Sequence, residues 1–328
     1  MAKGPLGNKD WFVIKMDMLG NYRWDWVGRG DGNDKLASIG FDRHGNVFAA
    51  GSFKDVTPDF SGTSESIPEN SMLVKLDPNG SYQSHSFWYE TVWSQTNDMA
   101  VGHDGHVVMV GSIVNPPDAA FEKAAFVLML DRDGSYRWDH VWIARGRRAQ
   151  TEGTSVAYTT DGGVVVGGQI LGNTELDIGG DTWTGPAGVI VKYDSDGDYQ
   201  WSKIWMGGVM WILDIAVAPD GGFLLAGGFD GSVDFGGGVR TSYVNSDGLS
   251  YAAGFLVKLD PNGGYQWDLT WSRPMGEARA KAVALDPSEG SIVVGGAFGG
   301  RVDFGGGPHG VPSALSFGDA FLVKLICE

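Results

Sequence analysis

The tetrapeptide Phe12-Val13-Ile14-Lys15 comes back five more times in this chain. The copies are Met72-Leu73-Val74-Lys75, Phe126-Val127-Leu128-Met129, Val189-Ile190-Val191-Lys192, Phe255-Leu256-Val257-Lys258 and Phe321-Leu322-Val323-Lys324. Counted on the fourth position, successive copies lie 60, 54, 63, 66 and 66 residues apart. A period of that size, dense in strands and tight turns, specifies an array of supersecondary units rather than unrelated domains. Repeat arrays of this length form one body. The 328 residues are therefore read as a tail, 1–10, followed by one domain, 11–328. Its repeats fall at about 11–71, 72–125, 126–188, 189–254 and 255–320, with a final strand at 321–328.

Each full repeat holds four strand candidates. The first alternates large with small residues: Ile39-Gly40-Phe41, Met99-Ala100-Val101, Val156-Ala157-Tyr158, Ile215-Ala216-Val217, Val283-Ala284-Leu285. The middle residue is always Gly or Ala, as needed where the innermost strands of a radial array converge. A tight turn such as Pro219-Asp220-Gly221-Gly222 leads to a second strand closing on glycine, as at Gly111 and Gly227; glycine supplies the positive φ of such hairpin turns. The third strand is the Lys-bearing one. The fourth carries Tyr-x-Trp, as in Tyr22/Trp24, Tyr136/Trp138, Tyr199/Trp201 and Tyr265/Trp267; the remaining copy departs, with Ser84 after Tyr82. Period-2 spacing places Tyr and Trp on one face, as packing between neighbouring units. The fold expected is all-β: a five-bladed β-propeller of four-stranded antiparallel blades. Its inner strands are predicted at 37–42, 98–102, 154–159, 213–218 and 281–286.

Closure of such a ring is constrained by a count. Five blades of four strands need 20, and the chain supplies 21, because the Lys-bearing strand stands at both ends. No Tyr-x-Trp strand follows the last copy, so the fifth blade is expected to borrow 22–27, closing the ring with N- and C-terminal strands. Segments 12–16 and 321–325 then compete for one slot beside it. The loser is an unpaired edge, which points to self-association or partner docking at the terminal blade.

The longest segments lie between the second and third strands, at 54–71, 114–124, 171–188, 230–253 and 299–319. Four share a signature: Asp59-Phe60-Ser61-Gly62, Asp177-Ile178-Gly179-Gly180, Asp234-Phe235-Gly236-Gly237 and Asp303-Phe304-Gly305-Gly306. Rigid scaffolds carry recognition on their connections. Asp59, Phe60, Asp177, Asp234, Phe235, Asp303 and Phe304, with the loop aromatics Trp183 and Tyr243, are therefore the candidate binding residues. For an ion, alternating aspartates at Asp194, Asp196 and Asp198 put several oxygens at one turn, the donor type calcium takes; no other cofactor is indicated. Of the six histidines, His103 and His106 flank one tight turn and read as surface-turn residues, a poor metal geometry without a third ligand. No nucleophile elbow, zincin motif or phosphate loop occurs. Carboxylates recur with the period and read as turn chemistry. Asp98 and Asp214, ahead of the inner strand where other copies have Ser38 and Ser155, read as bonds to a neighbouring turn or as polar contacts for a ligand over a central channel.

Formal net charge is −16, so a nucleic-acid partner, which needs a basic stripe, is not expected. The one basic cluster, Arg145-Gly146-Arg147-Arg148, is read as a solvated turn. No stretch approaches the roughly 18 apolar residues of a membrane helix, and the start, Met-Ala-Lys-Gly-Pro-Leu-Gly, has no hydrophobic signal core. The single cysteine, Cys327, excludes an intrachain disulfide.

The run Val233-Asp234-Phe235-Gly236-Gly237-Gly238, then Gly254 through Leu259-Asp260-Pro261-Asn262-Gly263, then Tyr265-Gln266-Trp267, resembles the bacterial β-propeller repeat, often called the seven-bladed propeller repeat. The resemblance spans roughly 11–326, with five copies rather than seven. It implies the propeller fold and a cell-surface or extracellular setting, as in the large surface or secreted proteins of myxobacteria and relatives. It implies little about activity. The function expected is a non-enzymatic binding or scaffolding module presenting a loop-rich face to a protein partner; the alternatives are a carbohydrate-binding module, or a polysaccharide lyase or hydrolase over the central channel.

Overall fold

The computed structural model describes residues 9–28, 34–53, 70–88, 93–114, 123–179, 181–272, 276–286, 289–310 and 318–326. Every regular element among them is a β-strand. The chain divides into two compact units, Met1–Ile143 and Ala144–Glu328.

The first unit begins with a hairpin of β1 (Trp11–Met16) and β2 (Tyr22–Gly28). Two antiparallel four-stranded meanders follow. Repeat 1 comprises β3 (Lys35–Phe41), β4 (Val47–Phe53), β5 (Asn70–Leu76) and β6 (Tyr82–Trp88). Repeat 2 comprises β7 (Trp93–Val101), β8 (Val107–Val114), β9 (Lys123–Leu130) and β10 (Tyr136–Trp142).

In the second unit, repeat 3 comprises β11 (Ala144–Tyr158), β12 (Val164–Ile178), β14 (Ala187–Tyr193) and β15 (Tyr199–Met206), with the short β13 (Asp181–Thr184) folded back on β12. Repeat 4 comprises β16 (Gly208–Val217), β17 (Phe223–Asp234), β21 (Ala253–Leu259) and β22 (Tyr265–Trp271). It carries the small strands β18 (Val239–Thr241), β19 (Tyr243–Val244) and β20 (Ser250–Tyr251). Repeat 5 has β23 (Gly276–Leu285), β24 (Ile292–Gly300) and β27 (Asp319–Leu325), plus the pair β25 (Val302–Asp303) and β26 (Pro308–His309).

The inner strands start earlier than their alternation suggests. In all five repeats the pairing of first and second strands slips by one residue just before the large–small–large triplet, for instance between Leu36/Ser38 and Ile212/Asp214. Such a bulge inverts which face the preceding residues present. The alternation therefore breaks there, and the outer half of each first strand is hidden from a period-2 reading. The basic cluster is a consequence: Arg145–Arg148 lies on β11, with Arg145 opposite Glu175, rather than in a turn. Arg148, at φ 58°, marks a local irregularity in that strand.

A second slip lies between third and fourth strands, as between Lys15/Met16 and Lys258/Leu259. It splits the Tyr-x-Trp pair. Tyr265 packs into the core shared by repeats 3 and 4, with Phe223, Phe255 and Phe235, whereas Trp267 packs into the core shared by repeats 4 and 5. Both aromatics are packing residues, but they serve opposite faces of the sheet instead of one.

The third strand is the centre of this construction. Its odd positions face one neighbour and its even position faces the other. Phe255 and Val257 join the core with repeat 3, and Leu256 joins the core with repeat 5. Between repeats 1 and 2 the same layout brings Leu73 together with Phe126, Leu128 and Leu130. The hairpin applies Trp11 and Val13 to repeat 1, against Ala49, Phe53, Met72 and Val74. Polar stitches accompany the cores. Lys15 Nζ donates to the Pro78 carbonyl at 2.8 Å, Trp24 Nε1 to the same oxygen at 3.1 Å, and Lys75 Nζ to the Arg132 carbonyl at 2.6 Å.

Among the described residues β2 pairs with β1 and β27 pairs with β24. The join expected between 22–27 and the last blade is not among these ladders. The C-terminal strand holds the slot beside β24, and the N-terminal hairpin is intact.

Candidate functional site

The Asp-x-Gly-Gly signature is a folded device. In repeat 4, Asp234 Oδ1 accepts from the amides of Gly236 at 2.8 Å and Gly238 at 3.0 Å. Asp303 does the same for Gly305 and Gly307, at 2.8 and 3.0 Å. The turn drops the next side chain inward: Phe235 is fully buried, 5.2 Å from the Phe255 ring, and Phe304 stacks on Phe321 at 4.3 Å. The glycines are needed because a Tyr ring lies under them. A Cβ on Gly236 would come within 2.7 Å of Tyr265 Cβ, one on Gly237 within 2.1 Å of Tyr265 Oη, and one on Gly179 within 2.3 Å of Tyr199. The signature thus belongs to the same mechanical assembly as the fourth-strand Tyr.

This reassigns several candidate binding residues. Phe235 is a core residue with no exposed surface, Phe304 is half-buried, stacked on Phe321 and lining a shallow cavity with His309 and Leu322, and Asp234 and Asp303 cap turns. Asp177 is exposed at the corresponding place in repeat 3, and Ile178 is buried where Phe235 is in repeat 4. Asp59 and Phe60 lie outside the described residues. Trp183, on β13, is half-buried, and its indole N–H finds no hydrogen-bond partner among the described residues.

Tyr243 stands apart. It opens a projecting mini-hairpin in which β19 pairs with β20 through Tyr243↔Tyr251 and Val244↔Ser250. The two Tyr rings lie 5.8 Å apart, and Val244 and Leu249 beside them are exposed. The tip is rigid: Asn245 Oδ1 accepts from the amides of Asp247 at 3.0 Å and Leu249 at 2.8 Å. At its base Asp230 accepts from the hydroxyls of Ser242, at 3.2 Å, and Ser250. Beside it, Arg240 forms a two-pronged pair with the buried Asp268 carboxylate at 2.7 and 3.0 Å, and Tyr265 donates to the same group at 2.9 Å. Nothing equivalent to this mini-hairpin occurs in the other repeats among the described residues.

The titratable groups are tied into the fold. Asp194 Oδ1 accepts from the amides of Asp196 and Asp198 at 3.0 and 2.9 Å, and Oδ2 accepts from Gln200 at 2.8 Å. No group of three His, Cys, Asp or Glu able to hold a metal occurs among the described residues, so the calcium reading of 194–198 gains no support from this geometry. Asp214 Oδ2 accepts from the Val283 amide of the next repeat at 2.7 Å, and Ser38 Oγ donates to the Met99 carbonyl of the next repeat at 3.2 Å. Burial raises the Asp214 pKa, partly offset by its amide donors Val283 and Ile215. For Asp161 burial also acts upward, but bonds from Lys192, Thr159 and Gly163 outweigh it and hold the carboxyl at about 2. His106 bridges two turns of repeat 2, 2.6 Å from Asp104 and 3.2 Å from Asp131, with Arg137 alongside. Sequence reasoning missed this cluster because its members come from separate turns.

No family model matches the chain. It is 22% identical to an uncharacterized WD repeat-containing protein of Acanthamoeba polyphaga mimivirus, over 89% of this chain but only 26% of that protein. The chain thus spans about a quarter of its relative's length. Among solved structures it is similar to a mutant of the Synechocystis apocarotenoid oxygenase, with 10% identity, TM-score 0.46, and 90% of this chain and 66% of that one covered. It is also similar to a GH43 β-1,3-galactosidase, with 10% identity, TM-score 0.36, and coverage of 96% and 93%.

Proposed function

We propose that this chain is a non-enzymatic binding module: a propeller of five blade-type repeats that presents a loop-rich face to a protein partner. The observation that carries the reading is the contrast between repeated and singular features. The period-linked groups described above — Lys stitches, turn aspartates, Asp-x-Gly-Gly caps, Tyr and Trp — act within the fold. The mini-hairpin at 243–251 has no counterpart among the described residues of the other repeats. It combines paired tyrosines with exposed Val244 and Leu249 on a braced support, the aromatic and aliphatic composition that anchors protein interfaces. The WD-repeat relative is consistent with such a role.

The test is comparative capture from a lysate of the source organism, using the wild-type chain and the double variant Val244→Glu/Leu249→Glu. A protein retained by the first and lost with the second, at equal thermal stability, supports the reading. Identical captures would sink it. The Tyr243–Tyr251 pair also favours a sugar ligand as a second reading, because ring faces are what glycans stack on. A glycan array probed with a monodisperse sample tests it, and a blank array rejects it.

A further inference from the structure

One position of the inner strand is not repeated in type. It is the residue just ahead of the one at which the pairing slips, and it is Lys35, Gln95, Glu152, Trp211 and Arg279 in repeats 1 to 5. Turns, third strands and caps keep their residue types from copy to copy, so five different side chains at one place are not set by the repeat pattern. Within the second unit three of them stand in consecutive repeats. The Arg279 guanidinium lies over the Trp211 ring, 4.4 Å from its centroid, and its stem passes Gly228, where a Cβ would come within 3.0 Å of Arg279 Cγ. Repeat 4 is seated on repeat 3 by the same step: a Cβ on Gly188 would meet Met210 as one on Gly254 would meet Ala278, and Thr154 Oγ1 donates to the Ile212 carbonyl. That step sets Trp211 beside repeat 3, where Gln169 takes the place of Gly228, opposite Glu152.

Gln169 is 7% exposed. Its Nε2 donates to Glu152 Oε2 at 2.7 Å, which fixes the orientation of the amide, and its Oε1 is buried with no hydrogen-bond partner among the described residues. An acceptor in that state is unfavourable until a donor reaches it. The pair offers acceptor oxygens and a negative charge side by side. A planar fork of N–H donors answers both, and Trp211 is an indole on which the fold already seats a guanidinium. We infer that this end of repeats 3 to 5 receives an arginine side chain from the protein partner whose aliphatic residues rest on the mini-hairpin. The inference rests on the protein-partner reading and enlarges its contact surface.

The two places belong to one end of repeat 4. Trp211 stands opposite Gly228. Two residues further along β17, about 7 Å, Asp230 accepts from Ser242 and Ser250 at the base of the mini-hairpin. An extended peptide covers that span with a few residues. Charge favours the same occupant. Residues 226–254 hold Asp230, Asp234 and Asp247 against one base, Arg240, which is paired with Asp268. Glu277, two residues before Arg279 on β23, adds a half-buried carboxyl that burial pushes up and the Arg279 charge pulls down.

The test needs no natural partner. A random peptide library displayed on phage is panned on the wild-type chain, and the enriched peptide is synthesised and measured by fluorescence polarisation. Arginine is expected at one position, with aliphatic residues a few places away. Affinity should fall roughly tenfold with Gln169→Leu, which changes no charge, with Glu152→Gln, and with citrulline in place of the peptide's arginine. It should hold with Glu289→Gln, which removes one charge from the turn at the other end of β23. No enriched sequence, enrichment without arginine, or unchanged affinity in Gln169→Leu and Glu152→Gln would overturn the inference. A peptide lost with Val244→Glu/Leu249→Glu but kept by those two variants overturns it while leaving the mini-hairpin reading in place. Loss with those two variants alone supports the arginine site and counts against the mini-hairpin. If Gln169→Leu fails to fold, Glu152→Gln and the citrulline peptide still decide.

Discussion

Repeat 4 and repeat 5 are built from nearly the same residues and end in different states. Both have the glycine-capped Asp turn, the inward Phe and the Phe-Leu-Val-Lys strand. Repeat 4 adds a fourth strand, whose Tyr265 fills the glycine cradle, and has a neighbour whose residues bury Leu256. Repeat 5 lacks both among the described residues, and its third strand alternates half-buried and exposed positions throughout. The difference shows that the tetrapeptide does not determine its own burial. Burial comes from the two neighbours, so the same sequence is core in the interior and surface at the ends.

The largest expected break in this comparison comes from truncating the strand itself. Phe255→Ala removes a fully buried ring and should cost about 3–5 kcal/mol, whereas Phe12→Ala in dilute solution should cost less than about 1 kcal/mol, as surface changes do. Urea unfolding of both variants at low protein concentration measures it; equal losses would show that β1 is covered on both faces in the single chain. A smaller, sharper contrast uses the cradle. Gly237→Ala meets the Tyr265 hydroxyl and should lose about 1–3 kcal/mol through overpacking, while Gly306→Ala should leave the melting temperature of the dilute chain unchanged.

Much of this was legible in the sequence. The period, the four strands per repeat, the glycine turns and the packing role of Tyr and Trp follow from residue pattern and spacing, because each is local. The bulges at Leu36/Ser38 and Lys258/Leu259 were not legible, since a one-residue slip is set by the partner strand. The opposite facing of Tyr265 and Trp267 was lost with them. Asp234 and Phe235 looked like loop residues available to a ligand, because a sequence does not show that the loop folds back on the sheet. Tyr243 was visible only as a loop aromatic; its pairing with Tyr251 depends on the eight-residue return of the mini-hairpin.

The stitches between and within repeats give two smaller predictions. Asp214 has a raised pKa in the fold, so it binds protons more readily folded than unfolded. Its contribution is therefore most favourable at pH below the ordinary carboxylate value and declines as pH rises through the raised one. Unfolding free energies of wild type and Asp214→Asn, compared across that window, should shift in favour of the variant as pH rises; a pH-independent difference would contradict the assignment. Asp161 has the opposite sign. Its carboxyl is held at about 2, so its contribution is present above the unfolded value of 3.8 and lost as pH falls towards 2. Lys192→Met should move the Asp161 titration upward, followed by NMR. It should cost less than about 1 kcal/mol, because the carboxylate is largely exposed.

The central claim is that the third strand is protected by neighbours on both sides in the interior and by one at the ends. Hydrogen exchange followed by mass spectrometry of a dilute sample tests it most directly. In that dilute sample, peptides covering β5, β9, β14 and β21 should exchange at the slow global rate, and those covering β1 and β27 at least tenfold faster. Slow exchange of β1 and β27 in the dilute sample, equal to that of β21, would contradict the account.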